Sequence, residues 1–267
     1  MNNYRFDTQE AKMPNKSTKN MSPTVTGPVM KAREGGRGPA IWLAGDPNDL
    51  KDWIDRGAAG IVTNTIVLND MVKKYGQIID VVKRYLDITD KPIVVEVDGK
   101  STDELIEVSH TFTKMSDQII IKIPCSPIAL DAFRILAEEG IETYCTTVFS
   151  LPQAAAVAQA GATHILPFCE PVKELGGDPT KLVRECVQMF SGWQNRPYIT
   201  AALVRSVDVA YRAFRDGVDG IIVFWPIFRD MLQHPLTDTW NETFMDQWIE
   251  MNEAGLLNNV PVKYDKP

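Results

Sequence analysis

A chain of 267 residues, 44% hydrophobic and 24% charged, has enough apolar mass for one sizeable core and the composition of an ordinary globular protein. Its longest apolar runs, such as that from Gly220 to Phe228, fall well short of the roughly 18 residues that cross a bilayer, so no membrane role is expected. A net charge of −7 argues against nucleic acid as a partner, since phosphate backbones need a basic face, but it leaves room for a small anionic substrate in a locally basic pocket.

Residues 1–38 are rich in Asn, Lys, Ser, Thr, Pro and Gly and show no hydrophobic period, so they read as a polar N-terminal arm. They contain no apolar core of a secretory signal. The four cysteines, Cys125, Cys145, Cys169 and Cys186, have neither CxxC spacing nor the look of a disulfide framework, so a reducing cytoplasm is the expected compartment. From residue 39 to 267, short β-branched runs alternate with amphipathic stretches. Strands are predicted near 41–43, 60–63, 93–97, 118–123, 142–147, 164–167, 197–202 and 220–223. Helices are predicted from 47, over 70–85, 103–114, 129–139, 151–160, 179–189 and 207–215, and, after a short helix, over 238–253. Gly140, Gly161 and Gly217 stand where helix C-caps favour glycine.

Eight strand–helix repeats of this kind imply a parallel sheet closed into a (β/α)8 TIM barrel, carrying an N-terminal arm and an extra C-terminal helix. The rival is an open doubly wound sheet, which usually has a glycine-rich turn after its first strand; here that turn is Ala44-Gly-Asp-Pro47, with no GxGxxG. In the last helix, Trp240, Phe244, Trp248 and Met251 lie near one face, the pattern of a core or subunit contact.

Barrel chemistry sits at the C-terminal ends of the strands. The fourth predicted strand reads Gln118-Ile-Ile-Ile-Lys-Ile-Pro124. A lysine in so apolar a run either pairs with a carboxylate, snorkels outward, or serves as a nucleophile whose ammonium form is disfavoured by burial. Glu96 has the same character on the third strand, where it is a proton-transfer group or a plain ion-pair partner of Lys122. Tyr144 and Thr146 share one face of the fifth strand, and Asn64 ends the second, where it serves a substrate or caps a helix. A buried amine with a carboxylate, a hydroxyl and an amide around it is a kit for imine chemistry. His110, His164 and His234 are isolated, with no metal-binding spacing.

Several motifs, in order, resemble the transaldolase/fructose-6-phosphate aldolase family: Ile120-Ile-Lys-Ile-Pro124, Gly140-Ile-Glu-Thr143 with Thr146-Thr-Val-Phe149, Ala160-Gly-Ala-Thr163 with Pro167-Phe168, and His234-Pro-Leu-Thr-Asp238. The chain is most similar to the short, single-barrel members. The resemblance implies a class I aldolase or transaldolase of carbohydrate metabolism, acting on a small carbonyl or sugar substrate, assembled as a homo-oligomer (a decamer in this type), and needing neither cofactor nor metal. It matches Lys122 to the imine-forming lysine, Glu96 and Thr146 to the pair that holds a catalytic water, Asn64 to a contact with the sugar chain, Phe168 to a substrate-side aromatic residue, and Arg205 to a phosphate-side cation.

Departures from the pattern are concentrated around the substrate. A strand-one aspartate that removes a hydroxyl proton appears as Ala44, leaving Asp46 or Tyr144 as the substitute base. A second phosphate arginine appears as Pro171, a serine as Leu203, an asparagine as Tyr144 and a small residue as Leu166, and the eighth strand ends in bulky Phe224-Trp225. These changes remove hydrogen-bond donors and add apolar volume, so Tyr144, Leu203 and Trp225 join Asn64, Phe168 and Arg205 as expected substrate contacts. The expected substrate is less phosphorylated or more apolar, with Lys173 a further cation. The alternatives are an imine enzyme with a changed reaction (aldol addition, dehydration or isomerisation) and a barrel that only binds.

Overall fold

The structure is a computed structural model describing residues 38–257 and 260. The predicted polar arm therefore lies, apart from Gly38, outside the described residues. Eight parallel strands close into a barrel in sequence order. Strand β1 (Ala40–Ala44) leads to α1 (Pro47–Ile54), β2 (Gly60–Val62) to α2 (Thr65–Tyr75) and α3 (Ile78–Leu86), β3 (Ile93–Glu96) to α4 (Thr102–Thr113), and β4 (Ile119–Pro124) to α5 (Pro127–Glu138). Then β5 (Thr143–Val148) leads to α6 (Leu151–Gln159), β6 (His164–Pro167) to α7 (Glu170–Glu174) and α8 (Lys181–Phe190), β7 (Tyr198–Ala201) to α9 (Val207–Arg215), and β8 (Gly220–Phe224) to α10 (Trp225–Asp230) and α11 (Pro235–Glu253). The (β/α)8 expectation holds.

The period of two along each strand divides the core in two. One set of side chains, including Ile93, Val95, Ile121, Ile123 and Cys145, packs outward beneath the helices. The alternate set, Trp42, Val62, Val94, Ile120, Tyr144, Leu166 and Ala202, fills the barrel interior. Glu96, Lys122 and Thr146 stand two residues beyond Val94, Ile120 and Tyr144, so they continue the inward rows at the C-terminal mouth. The register aligns Glu96 with Lys122 on adjacent strands, and Pro124 with Thr146 on the next pair.

Six of the helices that follow strands start at a side-chain cap. Asp46, Asn64, Ser101, Ser126, Ser150 and Ser206 each accept a hydrogen bond from a first-turn N–H. The caps fix where each loop ends around the mouth. The single long helix expected over 70–85 is instead two. Gly76, at φ +98°, terminates α2, and Gln77 opens α3. Such a φ suits glycine and cannot continue a helix. Helix α7 follows Pro167 where no helix was predicted. Helix α11 begins at Pro235 rather than 238, because His234 caps it through Leu236 N. It has no buried residue, and Trp240 and Phe244 are 56% and 62% exposed, so its apolar face is no part of this chain's own core.

Gly60 marks the tightest approach inside the barrel. A Cβ there would lie 2.4 Å from both the Pro92 carbonyl oxygen and the Trp42 ring. Gly60→Ala is therefore expected to destabilise the fold by about 1–3 kcal/mol, the usual penalty for overpacking. Urea denaturation followed by Trp fluorescence would show it as a lower midpoint; an unchanged midpoint would contradict this packing of Trp42 against β2.

Candidate active site

At the C-terminal mouth a cavity of about 270 Å³ has Lys122, Glu96 and Thr146 in its wall. Lys122 Nζ lies 3.0 Å from Glu96 Oε2, and the two side chains are only 5% and 9% exposed. Glu96 is held at both oxygens, since Oε1 accepts a 3.1 Å bond from Thr65 N in the first turn of α2. Its backbone is fixed too: Glu96 N donates to the Thr63 hydroxyl, which donates in turn to the Val94 carbonyl. Burial pushes the Lys122 amine below the ordinary lysine range, and the Glu96 carboxylate opposes this without reversing it. The site thus holds an amine whose charged form is made less favourable by burial, with a carboxylate beside it.

Around this pair the cavity is mostly apolar. Ala44, Ile66, Phe168, Leu203, Ile222 and Phe224 contribute to its wall, and Asn64, Thr147 and Arg205 add polar groups. Asn64 Oδ1 accepts from Val67 N at 2.8 Å, so the capping reading holds, yet the residue also faces the cavity. Phe168 meets Phe149 edge-on, with ring centroids 5.3 Å apart. Arg205 is exposed at the rim and forms no ion pair among the described residues, which leaves its guanidinium available to an anionic group.

Two non-glycine residues have left-handed backbones among the described residues, Thr147 at φ +56° and Leu203 at φ +53°, and both line this cavity. Each such conformation costs about 1–3 kcal/mol, and a β-branched residue tolerates it least. Thr147 is missed by sequence reasoning. Strand alternation assigns it to the outer face with Cys145, and only the register shift between Cys145 and Val148 brings it to the mouth. Thr63, Thr65, Ile66 and Ile222 were likewise not singled out.

Three expected site residues lie elsewhere. Asp46 lines a neighbouring cleft of about 330 Å³ with Asp49, Asp70 and Trp225. Its carboxylate caps α1 and is bound by Lys74 and by the Tyr75 hydroxyl at 2.8 Å. Burial pushes its pKa up, but these hydrogen bonds outweigh that and hold it below the usual carboxylate range. Trp225 stacks on Trp53 with centroids 5.7 Å apart. Tyr144 is fully buried below the cavity, stacked on His164 at 3.9 Å and edge-on to Trp42. Pro171 lies in the first turn of α7 and Lys173 pairs with Glu170 at 3.6 Å; neither lines the cavity. Among the described residues no group of three His, Cys, Asp or Glu side chains is placed to hold a metal ion.

Comparison with known proteins agrees with this architecture. The solved structure of 2,3-dimethylmalate lyase, a PEP mutase/isocitrate lyase superfamily member, superimposes with a TM-score of 0.53 over 90% of this chain and 91% of its own, at 14% identity, a likeness of fold alone. A probable transaldolase of Thermoplasma volcanium is 31% identical over 212 residues, covering 78% of this chain and 94% of the relative. One from Streptococcus pyogenes serotype M5 is also 31% identical, over 73% of this chain and 89% of its own. The model of the family described as transaldolase/fructose-6-phosphate aldolase matches residues 54–253, a span that includes Lys122, Glu96, Thr146, Asn64 and Arg205. With the barrel and these matches together, the chain belongs to the transaldolase/fructose-6-phosphate aldolase family of enzymes.

Proposed function

We propose that this enzyme makes or breaks a carbon–carbon bond of a ketose-like substrate through a Schiff base on Lys122. The observation that carries this reading is the buried Lys122–Glu96 pair, 3.0 Å apart in the wall of a cavity at the barrel mouth. The neutral Lys122 amine attacks the ketone carbon, forming the N–C bond while the carbonyl π electrons move to oxygen, which takes a proton. Glu96, through a water held by Thr146, delivers a second proton to that hydroxyl and the C–O bond breaks, releasing water and leaving the protonated imine. Glu96, left as a carboxylate, takes the proton of the hydroxyl on the next carbon through the same water; the O–H electrons form the aldehyde C=O, the carbon–carbon bond breaks and its electrons pass into the imine to leave an enamine, and addition to another aldehyde is the reverse. Asn64 and Arg205 orient the substrate, and no metal or cofactor takes part.

The walls support a substrate that is less phosphorylated or more apolar than a sugar phosphate. Among the described residues Arg205 is the one guanidinium of the cavity, while Ala44, Leu203, Ile222 and Phe224 offer no hydrogen bond through their side chains. An unpartnered buried polar group of the substrate is penalised by about 1–3 kcal/mol. One observation favours a second reading in which the imine is kept but the reaction is addition, dehydration or isomerisation. Among the described residues Glu96 is the only carboxylate of the cavity wall, with Ala44 standing beside Phe224 on the neighbouring strand. A product survey with ketone donors and aldehydes separates the two, and cleavage of fructose 6-phosphate at the efficiency usual for the family would sink the altered-substrate idea.

We also propose a homo-oligomer, a decamer by analogy with the short members of the family, working in the cytoplasm. The exposed apolar face of α11 supports the first, and four free cysteines suit a reducing compartment. Light scattering is expected to give a mass several times that of one chain. The paired change Trp240→Glu and Phe244→Glu is expected to lower it, and a monomeric wild type would refute assembly.

Borohydride trapping with dihydroxyacetone, fructose 6-phosphate and pyruvate offered separately is expected to add mass at Lys122, found by peptide mapping. Lys122→Met should abolish the adduct and reduce turnover by about 10³-fold or more; labelling at another lysine would overturn the assignment. The pH dependence has a definite sign. Imine formation needs the free amine, so its rate rises with pH through the Lys122 pKa, at a midpoint below the ordinary lysine value of about 10.4. Because Glu96 raises that pKa, Glu96→Gln is expected to move the midpoint to lower pH while slowing the dehydration step. A midpoint that moved upward would contradict the pairing.

A further inference from the structure

We infer that Thr147 is a positioning residue for proton transfer at Lys122: its hydroxyl, fixed between β4 and β5, sets the direction in which Thr146 presents its own hydroxyl to the cavity. The inference rests on the Schiff-base reading above and extends it to a residue that strand alternation places on the wrong face.

Three observations converge on it. Thr147 has a left-handed backbone, at φ +56°, in which a β-branched residue is rarely found, so the surroundings must hold it there. Its hydroxyl supplies that hold. It donates to the Thr146 carbonyl at 2.7 Å and accepts from Cys125 N at 3.1 Å. Cys125 N also donates to the same Thr146 carbonyl at 2.9 Å. The carbonyl of Thr146 therefore receives two donors, one from each side of the strand pair, and the plane of the 146–147 peptide is fixed. Finally, the pairing of β5 with β6 slips between Cys145 and Val148, which leaves Thr146 and Thr147 out of the ladder on the β6 side while Thr146 stays paired with β4. Two successive residues consequently line one cavity, where a regular strand would offer only one.

The staple has a second end. Cys125 lies three residues beyond Lys122, so the same hydroxyl ties the strand bearing the amine to the strand bearing Thr146. Without it, the peptide is free to relax towards an extended conformation, and the Thr146 hydroxyl turns with it. The Lys122–Glu96 pair, held through β3 and α2, is untouched. The first attack on the ketone should then survive, and the water-relayed loss of hydroxyl from the carbinolamine should slow.

The test uses the full chain with Thr147→Val, Thr147→Gly and Thr147→Ser, and dihydroxyacetone as probe. Four quantities are read: borohydride-trapped mass on Lys122, the rate at which the donor's α-hydrogens exchange in D2O, the pH midpoint of that rate, and the thermal midpoint. Thr147→Val keeps the branch and loses the hydroxyl. Its exchange is expected to fall roughly 10- to 100-fold, the lower range of what one proton-transfer group contributes. The pH midpoint set by Lys122 should stay in place. Thr147→Gly adopts the left-handed backbone without strain, so it folds even where the valine variant does not. It should melt at or above the wild type and show the same slow exchange. Thr147→Ser should restore exchange to within about threefold of wild type, as it returns the hydroxyl that bridges Cys125 N and the Thr146 carbonyl. Wild-type exchange in the valine or the glycine variant overturns the role, and so does a serine variant as slow as valine, which would point to packing by the methyl group. A wild-type protein that gives no Lys122 adduct with any of the three donors overturns the Schiff-base reading and this inference with it. An adduct on wild type with unaffected variants overturns the role of Thr147 alone.

Discussion

Placing an ammonium ion inside a ring of apolar strands is among the costliest things a barrel can do, and in this protein the cost is met by one contact. Lys122 and Glu96 occupy aligned positions on β4 and β3, where the inward rows of the two strands reach the mouth. Below them Trp42, Val94, Ile120 and Tyr144 close the interior. Pairing keeps a carboxylate 3.0 Å from the amine, and burial pushes the amine's pKa below the ordinary lysine range. Glu96 itself is anchored by Thr65 N, so the start of α2, the register of β3 and the position of the amine depend on each other. Removal of either charge leaves the other buried with less than its full set of partners.

The surroundings of this pair are divided between a polar wall and an apolar one. The amine, the carboxylate and the Thr146 hydroxyl share one wall, whereas the opposite side presents Ala44, Leu203, Ile222 and Phe224. Phe224 belongs to the walls of both the Lys122 cavity and the cleft containing Asp46. The carboxylate nearest in sequence to the missing aspartate is thus beyond an aromatic partition and already bound to Lys74 and Tyr75.

Much of the fold was legible because it rests on local signals. The β-branched runs, the glycines at 140, 161 and 217 with φ of +77°, +101° and +81°, and the chain of repeats lead to the barrel. Lys122 and Glu96 were legible as charges in runs that should carry none. What escaped depends on partners distant in sequence or on departures from period two. Asp46 looked available because Lys74 and Tyr75, 28 and 29 residues away, are invisible to a local reading. Tyr144 shares the face of Thr146 as alternation requires, but sits one layer deeper, against His164. Trp225 is turned to Trp53 by the start of α10. Thr147 reaches the mouth through a left-handed residue that its side chain disfavours. The division of the predicted 70–85 helix hung on the backbone freedom of Gly76.

The helix caps around the mouth have an electrostatic side. Each helix start carries a partial positive charge of about half a unit, and it is normally offset by acidic residues in the first turn. Such residues are present in α1, α4 and α9 but absent from the first turns of α2, α5 and α6, the helices that follow β2, β4 and β5. At α2 the Glu96 carboxylate takes that place, since its Oε1 accepts from Thr65 N, so the helix start is offset by a member of the buried pair rather than by an acid of its own. The starts of α5 and α6 have no such offset from their own first turns, and on a protein of net charge −7 they keep two positive helix ends at the mouth of the barrel.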